Sequence, residues 1–384
     1  MIEIIEPASG DSPTTLGKPR YRQIFETLRD RISSGEYPPG QKLPTEAELM
    51  RLFSVSRTTV SRAMRDMELL GLIRRQRGSG TYVCETNEVG ERVDLALMVP
   101  WVETGAGLPY VEGLIHQRLA DMAGHGQATL QLQCLAAGPG TIEEKMIEAA
   151  GFLIESKVDG VLYYPAELSG ELMQLNRKVV NLLVDAGIQV VLIDRDIVCY
   201  PDRSEFTRIG FDNRRGGLLL TNHLINVGCN RIAFVGIPEV STVVANRLSG
   251  FHEAHRVHES TVDPDLVFTA DEIDLTESFC RHLIERGRPD AIICKMDRYA
   301  AILGRHLMTL GIEIGRDVKL AGFDDDPIAE LLPVPLTTIR LPDKAFAQTA
   351  YKAILRRISE PDTDIGQIII DTELVIREST VGRN

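Results

Sequence analysis

Two kinds of hydrophobic spacing divide the chain into two parts. Up to about residue 84, apolar residues recur every three or four positions, as on helices with one buried face. From about residue 93, short apolar runs alternate with stretches of helical spacing, which is typical of buried parallel strands joined by helices. The pattern therefore predicts a small, mainly helical domain followed by a large α/β domain.

Three helices and a β-hairpin are predicted in the first part. An apolar stripe indicates a helix from Arg20 to Ser34, and "GEYPPGQKLP" breaks it. Thr45 and Glu48 have the spacing of a capping box, which starts a second helix, and Ser56 caps a third. The core-facing positions of the third helix are Val60, Ala63, Met64, Met67 and Leu70. The β-prone runs "LIRRQR" and "TYVC" flank "GSG" and complete the pattern of a winged helix-turn-helix.

Charge is distributed as unevenly as the hydrophobic spacing. Residues 18–84 hold 13 Lys and Arg against 7 Asp and Glu, whereas the whole chain holds 42 against 55 and has a net charge of −13. A basic segment attached to an acidic one indicates a polyanion partner for the basic segment. Arg57, Thr58 and Arg62 lie on the outer face of the third helix, which in this motif enters the major groove of double-stranded DNA. The alternative is a charged helix face that meets only water.

The segment "LPTEAELMRLFSVSRTTVSRAMRDMELLGLIRRQRGSGTYV" resembles the DNA-binding domain of the GntR family of bacterial transcription regulators, from about Arg20 to Val83. The resemblance implies that Arg57 and Thr58 contact operator bases and that the glycine-rich wing tip reaches the groove. Ser61 stands where the family often has an arginine. The candidate DNA-contacting residues are Thr45, Arg57, Thr58, Thr59, Ser61, Arg62, Gln76, Arg77, Gly78, Ser79 and Gly80.

The second part contains seven apolar runs that predict buried parallel strands. They are "VDLALMV" (93–99), "ATLQLQCL" (128–135), "GVLYYP" (160–165), "QVVLID" (189–194), "RIAFVG" (231–236), "DAIIC" (290–294) and "VKLAGF" (318–323). Segments of helical periodicity separate them, so an α/β fold with parallel sheets is expected. Seven strands with their helices favour two doubly wound lobes over a single sheet.

This part resembles the effector-binding domain of the LacI/GalR family, which is built like a type 1 periplasmic sugar-binding protein. The resemblance is carried most specifically by "VKLAGFDDDPIAELLPVPLTTIRLP". It implies a ligand in the cleft between two lobes and three crossings of the chain, near residues 197–206, 312–317 and 338–342. A GntR-type head on this kind of body is the arrangement of the arabinose repressor group. We therefore expect a disordered N-terminus (1–17), a winged helix-turn-helix (18–84), a linker (85–92) and a two-lobed effector-binding and dimerisation domain (93–384).

In open parallel sheets, ligands lie beyond the carboxyl ends of the strands. A sugar needs polar groups for its hydroxyls and an aromatic plane for its ring face. These rules select Trp101, Tyr110, Tyr164, Glu167, Asp194, Arg195, Asn246, Arg247 and Asp297 as candidate ligand-binding residues. The resemblance implies that Arg247 and Asp297 hold the effector. Alternatives are that Asp194 and Arg195 pair only with each other and that Trp101 is a core aromatic.

Several classes of protein are disfavoured. No GxSxG elbow, P-loop or first-turn GxGxxG is present, so no catalytic residue and no cofactor are expected. The six cysteines form no CxxC pair, and "HEAHRVH" is not completed to a metal ligand set. No apolar run nears the roughly 20 residues that span a bilayer, and no secretory signal is evident, so a cytoplasmic protein is expected.

The leading hypothesis is a homodimeric transcription regulator that represses carbohydrate-utilisation genes. A sugar or related small molecule would release it from operator DNA. Two alternatives remain, a carbohydrate-active enzyme with an accessory DNA-binding head and a ligand-independent dimeric DNA-binding protein.

Overall fold

The computed structural model describes residues 20–69, 72–76, 79–84, 92–102, 108–125, 128–167, 170–199, 201–237, 242–362 and 364–382. The chain forms two compact units, a head within Met1–Glu91 and a body within Arg92–Asn384. The predicted disordered segment (1–17) and all of the predicted linker except Arg92 lie outside the described residues. Among the residues that are described, no helix combines the length and apolar character needed to cross a membrane.

The head consists of three helices and a two-stranded antiparallel hairpin. Its elements are α1 (Arg20–Ser33), α2 (Glu46–Phe53), α3 (Arg57–Leu69), β1 (Ile73–Gln76) and β2 (Gly80–Val83). Its buried core comprises Ile24, Phe25, Leu28, Leu43, Leu49, Val60, Ala63, Met64, Met67, Ile73 and Val83. The predicted helices, hairpin and core-facing positions of α3 are therefore present, whereas Leu70 lies outside the described residues.

Two caps fix the residues at which α2 and α3 begin. Thr45 Oγ1 accepts a hydrogen bond from the Glu48 backbone N–H at 3.3 Å, and the Glu48 carboxylate accepts one from the Thr45 N–H at 2.7 Å. This is the predicted capping box. Ser56 Oγ accepts a hydrogen bond from the Thr59 N–H at 3.3 Å, as expected of an N-cap. Local hydrogen bonds therefore set where α3 starts, which is the end expected to meet DNA.

The first lobe of the body is a parallel sheet with helices on both faces. Its strands are β3 (Val93–Val102), β4 (Ala128–Leu135), β5 (Gly160–Tyr163), β6 (Gln189–Ile193), β7 (Thr207–Phe211) and β13 (Gln367–Ile370), in the order β13-β7-β6-β5-β3-β4. Its helices are α4 (Tyr110–His125), α5 (Ile142–Glu155), α6 (Gly170–Asp185) and α12 (Asp343–Ser359). The core under α5 and α6 is apolar throughout, which explains the uninterrupted apolar runs of these strands.

The second lobe repeats this architecture. Its strands are β8 (Ile232–Gly236), β9 (Val267–Thr269), β10 (Ala291–Cys294), β11 (Lys319–Asp324), β12 (Thr337–Arg340) and β14 (Glu373–Val375), in the order β14-β12-β11-β10-β8-β9. All neighbours are parallel except β14, which runs antiparallel to β12. Its helices are α7 (Asn213–Asn226), α8 (Thr242–Val257), α9 (Glu277–Gly287), α10 (Asp297–Thr309), α11 (Ile328–Leu331) and α13 (Glu378–Val381), with 3₁₀ turns at Pro264–Leu266 and Glu272–Asp274.

All seven strands predicted from apolar runs are present, and each pairs in parallel with its neighbours among them. Two of the three predicted crossings between lobes are wrong. Because β7 belongs to the first sheet and α7 packs on the second, the first crossing lies at residues 211–213 and not at 197–206. Residues 312–317 lie inside the second lobe, between α10 and β11, whereas the chain crosses again at residues 370–373, between β13 and β14.

The third predicted crossing, near residues 338–342, is confirmed, since β12 ends in the second sheet and α12 begins on the first at residue 343. The two errors have a common cause. A crossing is identified by which sheet a strand joins, and neither β7 nor β13 was among the strands predicted from apolar runs. β7 pairs with β6 in the first sheet, and β13 joins the same sheet by pairing with β7, which lies far away in the sequence.

Candidate functional site

The exposed surface at the start of α3 is the first candidate site. Arg57 is the first residue of the helix, and 81% of its side chain is exposed. The hydroxyls of Thr58 and Thr59 each lie 2.8 Å from Ser56 Oγ, so the helix start carries a linked group of hydroxyls beside an exposed guanidinium. A helix N-terminus with these groups can donate hydrogen bonds to phosphate oxygens and to base edges.

An acidic residue that the sequence analysis did not select organises this surface. Ser61 Oγ donates a hydrogen bond to Glu46 Oε2 at 3.0 Å, and Arg57 Nε lies 3.7 Å from the same oxygen. Arg75, on the first wing strand, lies 3.4 Å from Glu46 Oε1. The Glu46 carboxylate therefore connects α2, α3 and the wing. The sequence signal is a carboxylate in the first turn of a helix in an otherwise basic domain.

The remaining candidate DNA-contacting residues have different surroundings. The Arg62 guanidinium lies over the Tyr21 ring, 4.0 Å from its centroid, and Ser79 Oγ lies 2.7 Å from the Tyr82 hydroxyl. Thr45 belongs to the capping box described above. Gln76 is exposed and pairs with Gly80 at the end of the hairpin. Arg77 and Gly78, at the wing tip, lie outside the described residues.

In the body, four candidate ligand-binding residues come together at the carboxyl ends of β5 and β6. The Tyr164 hydroxyl donates a hydrogen bond to Asp194 Oδ2 at 3.0 Å. The Arg195 guanidinium lies 5.3 Å from the Tyr164 ring centroid, 3.6 Å from Glu167 Oε1 and 3.9 Å from Asp194 Oδ2. Arg195 Nε is buried and has no hydrogen-bond partner among the described residues. This group thus contains an aromatic ring, carboxylates and one donor without a partner among the described residues.

In the second lobe, Arg247 lies in the first half of α8, the helix that follows β8. It is 5% exposed, and its guanidinium donates to Asn213 Oδ1 at 2.9 Å, to Asp324 Oδ1 at 3.1 Å and to the Lys295 carbonyl oxygen. Its charged carbon also lies 4.4 Å from the centre of the Phe323 ring. Three hydrogen bonds fix the orientation of this guanidinium, as a preformed ligand site requires.

Close packing of α7 on α8 positions Arg247. A Cβ added at Gly217 would overlap the carbonyl oxygen of Arg247, and one added at Gly250 would overlap that of Arg214. Only glycine at both positions lets the two helix backbones approach this closely. The glycines of "RRGG" and "RLSGF" therefore allow the close packing of α7 on α8 that determines the position of the Arg247 guanidinium.

Asp297 is nearly inaccessible, with 1% of its surface exposed. Its Oδ2 accepts a hydrogen bond from the Asp326 N–H at 2.9 Å, and its Oδ1 accepts one from the Thr338 hydroxyl at 2.6 Å. Burial and the nearby Asp324 carboxylate raise the pKa of Asp297 well above its ordinary value, although both hydrogen bonds oppose the shift. In this structure Asp297 holds the turn that follows β11, where Asp324 and Asp325 adopt positive φ angles of 102° and 52°.

The sequence analysis missed Glu112, in the first turn of α4. Burial and the carboxylates of Asp324 and Asp194 raise the pKa of Glu112 to about 7, while Arg195 and its own backbone N–H lower it. Asp194 belongs to the first lobe and Asp324 to the second, so the charges of both lobes affect the pKa of Glu112. A carboxylate in the first turn of a helix is already explained by its favourable interaction with the helix dipole. The local sequence therefore does not indicate that Glu112 also lies near charged groups of both lobes.

Other groups also link the two lobes. Burial lowers the pKa of Lys295, at the end of β10, but the Glu167 carboxylate of the first lobe opposes this shift. Burial and the Asp326 and Asp325 carboxylates raise the pKa of Tyr110, which is 37% exposed. We use the word cleft for the space between the carboxyl ends of the two sheets, bordered by Glu112, Tyr164, Arg195, Arg247 and Asp324.

Two candidate residues are not brought to the cleft by any described contact. Asn246 is exposed on α8, next in sequence to the buried Arg247. Trp101 lies near the end of β3, and its side chain is outside the described part of the chain. In "HEAHRVH", His255 is buried, and the described residues contain no group of side chains suited to a metal ion.

Comparisons with known proteins agree with this division into head and body. The family described as bacterial regulatory proteins, gntR family, matches residues 20–83, and the periplasmic binding protein-like domain matches residues 221–380. The arabinose metabolism transcriptional repressor of Geobacillus stearothermophilus is 28% identical over 94% of this chain and 98% of its own length. The repressor of the same name from Halalkalibacterium halodurans is 26% identical over 94% and 96%.

Solved structures show the same fold for the body. The transcriptional regulator CelR-cellobiose complex superposes with a TM-score of 0.64 and 23% identity, over 88% of this chain and all of that one. The lac repressor dimer bound to operator and an anti-inducer superposes with a TM-score of 0.62 and 19% identity, over 76% of this chain and 96% of that one. The chain therefore joins a helix-turn-helix head of the gntR family of bacterial regulatory proteins to a periplasmic binding protein-like body, which is the GntR/LacI-type arrangement.

Proposed function

We propose that this protein is a transcription repressor of carbohydrate-utilisation genes that a sugar releases from its operator. The observation that carries the proposal is that one chain joins a gntR-type head, with an exposed arginine at the start of α3, to a cleft where polar groups of two lobes converge. The first feature suits DNA and the second suits a small polar ligand.

The head is proposed to bind double-stranded operator DNA. The Arg57 side chain, at the start of α3, is 81% exposed and would reach guanine in the major groove. Thr58, Thr59, Ser61 and Arg62 would contribute neighbouring contacts, with Thr45, Gln76 and residues 77–80 on the phosphate backbone or the adjacent groove. Because one winged helix covers a half-site, we propose a homodimer on a two-fold symmetric operator.

The cleft is proposed to bind the effector. Tyr164, Glu167, Asp194 and Arg195 would hold it from the first lobe, with Tyr110 at the edge. Arg247 would hold it from the second lobe, with Trp101, Asn246 and Asp297 as further candidates. The names of related proteins support a sugar, since two are repressors of arabinose metabolism and one structure is a cellobiose complex.

The domain organisation belongs to the same proposal. Residues 18–84 would form the DNA-binding domain, residues 85–92 a linker, and residues 93–384 the effector-binding and dimerisation domain. We propose that the body binds its ligand without turning it over, because the related proteins that match nearly the whole chain are named as transcriptional repressors. A protein that works on operator DNA would act in the cytoplasm.

Two measurements test the proposal on the full chain. Fluorescence anisotropy with labelled DNA fragments from upstream of its own gene and of the genes beside it should show specific binding that weakens steeply as salt rises. Calorimetry with L-arabinose, D-xylose, D-ribose, D-glucose, D-galactose and cellobiose should find a ligand that releases the bound fragment. Turnover of a sugar would favour the enzyme alternative, absence of any sugar binding would favour the ligand-independent one, and tighter DNA binding with sugar would reverse the sign of the switch.

A further inference from the structure

Arg208, on β7, binds the turn that follows β6. Its Nη1 donates a hydrogen bond to the Asp194 carbonyl oxygen at 2.9 Å, and its Nε and Nη2 donate to Gln367 Oε1 at 3.1 and 2.9 Å. The residue is partly buried, and all three bonds end on uncharged oxygens. Burying a cation costs free energy that such bonds offset only in part. The planar guanidinium, whose donors point in fixed directions, instead gives these oxygens defined positions.

Gln367, on β13, extends this link to the far side of the turn. While its Oε1 accepts from Arg208, its Nε2 donates a hydrogen bond to Asp196 Oδ2 at 3.2 Å. β13 pairs with β7, and the two strands lead into the crossings at residues 370–373 and 211–213. Both sides of the turn are therefore bonded to the two strands that continue into the second lobe.

The backbone of the turn has a conformation that needs such a restraint. Asp194 has a φ angle of 65°, in the left-handed region. For residues other than glycine this conformation is unfavourable, and it persists where the surrounding structure holds it. The Asp194 N–H donates to the Ile209 carbonyl oxygen at 2.6 Å, and Arg208 binds its carbonyl oxygen. In this conformation the side chains of Asp194 and Arg195 both contact Tyr164.

The Arg208 side chain reaches the turn across a glycine of the same strand. A Cβ added at Gly210 would lie 2.7 Å from Arg208 Nη1 and 2.9 Å from the Asp194 carbonyl oxygen. Any other residue would push these two groups apart, so Gly210 leaves room for the hydrogen bond between them. A substitution at Gly210 therefore disturbs the same bond while Arg208 itself is unchanged.

We propose that Arg208 is a positioning residue for the effector site, which fixes the turn carrying Asp194 and Arg195 through the Asp194 carbonyl oxygen and through Gln367. The inference rests on the proposed function of the cleft and adds a residue that acts on the ligand only through this turn. A role through charge alone would be filled equally well by lysine. A single ammonium group cannot reproduce the planar set of three bonds, so the proposed role requires arginine.

The experiment combines hydrogen–deuterium exchange, read by mass spectrometry, with calorimetry on the full-length protein. The variants are Arg208→Lys, which keeps the charge, and Gly210→Ala, which keeps the arginine. Arg177→Lys is the matched control, because Arg177 is exposed on α6. Calorimetry uses L-arabinose, D-xylose, D-ribose, D-glucose, D-galactose and cellobiose, and thermal melting shows whether each variant is folded.

In both variants, exchange in residues 193–198 should accelerate about fivefold or more, while α5 exchanges as in the wild type. The sugar that binds the wild type should bind both variants about tenfold more weakly, as expected when a hydrogen bond of a charged group is lost. The control should match the wild type in both measurements, and operator affinity without sugar should stay unchanged in all three.

Three results would overturn the inference and leave the proposed function standing. They are wild-type exchange of residues 193–198 in Arg208→Lys, equal acceleration throughout the first lobe, and undiminished sugar affinity in both variants. Absence of binding by every sugar to the wild type would overturn the proposed function, and with it the role of Arg208 in holding an effector.

Discussion

The two functionally placed arginines, Arg57 and Arg247, differ most in their exposure. The Arg57 side chain is 81% exposed and that of Arg247 is 6% exposed. An exposed guanidinium stays hydrated and free to change rotamer until a partner binds. Its contribution to specificity therefore comes from the hydrogen bonds that it forms on binding. A buried guanidinium with three hydrogen bonds is fixed before binding, so it contributes a defined geometry.

Replacing Arg57 with alanine should abolish the preference for operator over unrelated DNA. The loss should be about 1–3 kcal/mol, the worth of one good contact to a guanine. Competition gel shifts with operator and scrambled fragments measure it. Arg29→Ala is a suitable control, because Arg29 pairs with its neighbour Asp30 on α1. Unchanged specificity in Arg57→Ala would remove this residue from base recognition.

Replacing Glu112 with glutamine should stabilise the body, and increasingly so as the pH rises. Folding raises the pKa of Glu112 from 4.5 to about 7, so the folded state binds this proton more tightly than the unfolded state does. The wild type therefore loses stability as the pH rises from about 4.5 through 7, and an uncharged amide has no such loss. The difference should approach about 1–3 kcal/mol at pH 8. Denaturant unfolding of both proteins at several pH values measures it, and a constant difference would contradict the prediction.

The residues of the site were predictable to the extent that they follow buried strands. Tyr164, Asp194 and Arg195 each lie at or just beyond the end of a buried strand, and the structure brings them together. Glu112 and Glu46 were missed for one reason. Both lie in the first turn of a helix, where a carboxylate already has a local explanation, and nothing in the local sequence shows which distant groups face it.

At the scale of elements, α7 and α8 show how backbone packing sets a side-chain position. Gly217 and Gly250 let the two helices approach closely, and Arg247 extends from this contact toward Asp324. The presence of most helices and strands could be predicted from the sequence, because apolar runs and capping residues are local signals. The membership of β13 in the first sheet could not, since β13 pairs with β7 across about 160 residues of sequence.

Replacing Gly217 with alanine should destabilise the body by about 1–3 kcal/mol and weaken the response to sugar. The added methyl group would overlap the Arg247 carbonyl, so α8 must shift and take the guanidinium with it. Thermal unfolding and sugar titration measure the two effects. Gly151→Ala is the matched control, because Gly151 lies within α5 with no atom within 4 Å of an added Cβ. That control should gain up to about 1 kcal/mol from helix propensity. Equal behaviour of the two variants would contradict the packing argument.

At the scale of the whole molecule, the proposed switch requires that sugar and operator oppose each other. If sugar brings the lobes of each body together, the relative placement of the paired bodies changes, and the heads no longer match the spacing of the half-sites. Linkage then requires reciprocity. If sugar weakens operator binding by a given factor, operator must weaken sugar binding by the same factor. A coupling free energy of about 1–3 kcal/mol corresponds to a change in affinity of about 5- to 150-fold.

Replacing Arg247 with alanine should separate the two activities. Operator affinity without sugar should stay at the wild-type value, because Arg247 belongs to the body and makes its hydrogen bonds to Asn213, Lys295 and Asp324 there. Release by sugar should be lost, since the fixed guanidinium of the second lobe is gone. Anisotropy titrations of labelled operator, with and without sugar, measure both quantities. The control is Arg256→Ala on the same helix, whose side chain is 75% exposed and which should respond to sugar as the wild type does. If Arg247→Ala still left the operator at the wild-type sugar concentration, the second lobe would not hold the effector through this residue, and the proposed route from ligand to DNA would have to begin in the first lobe alone.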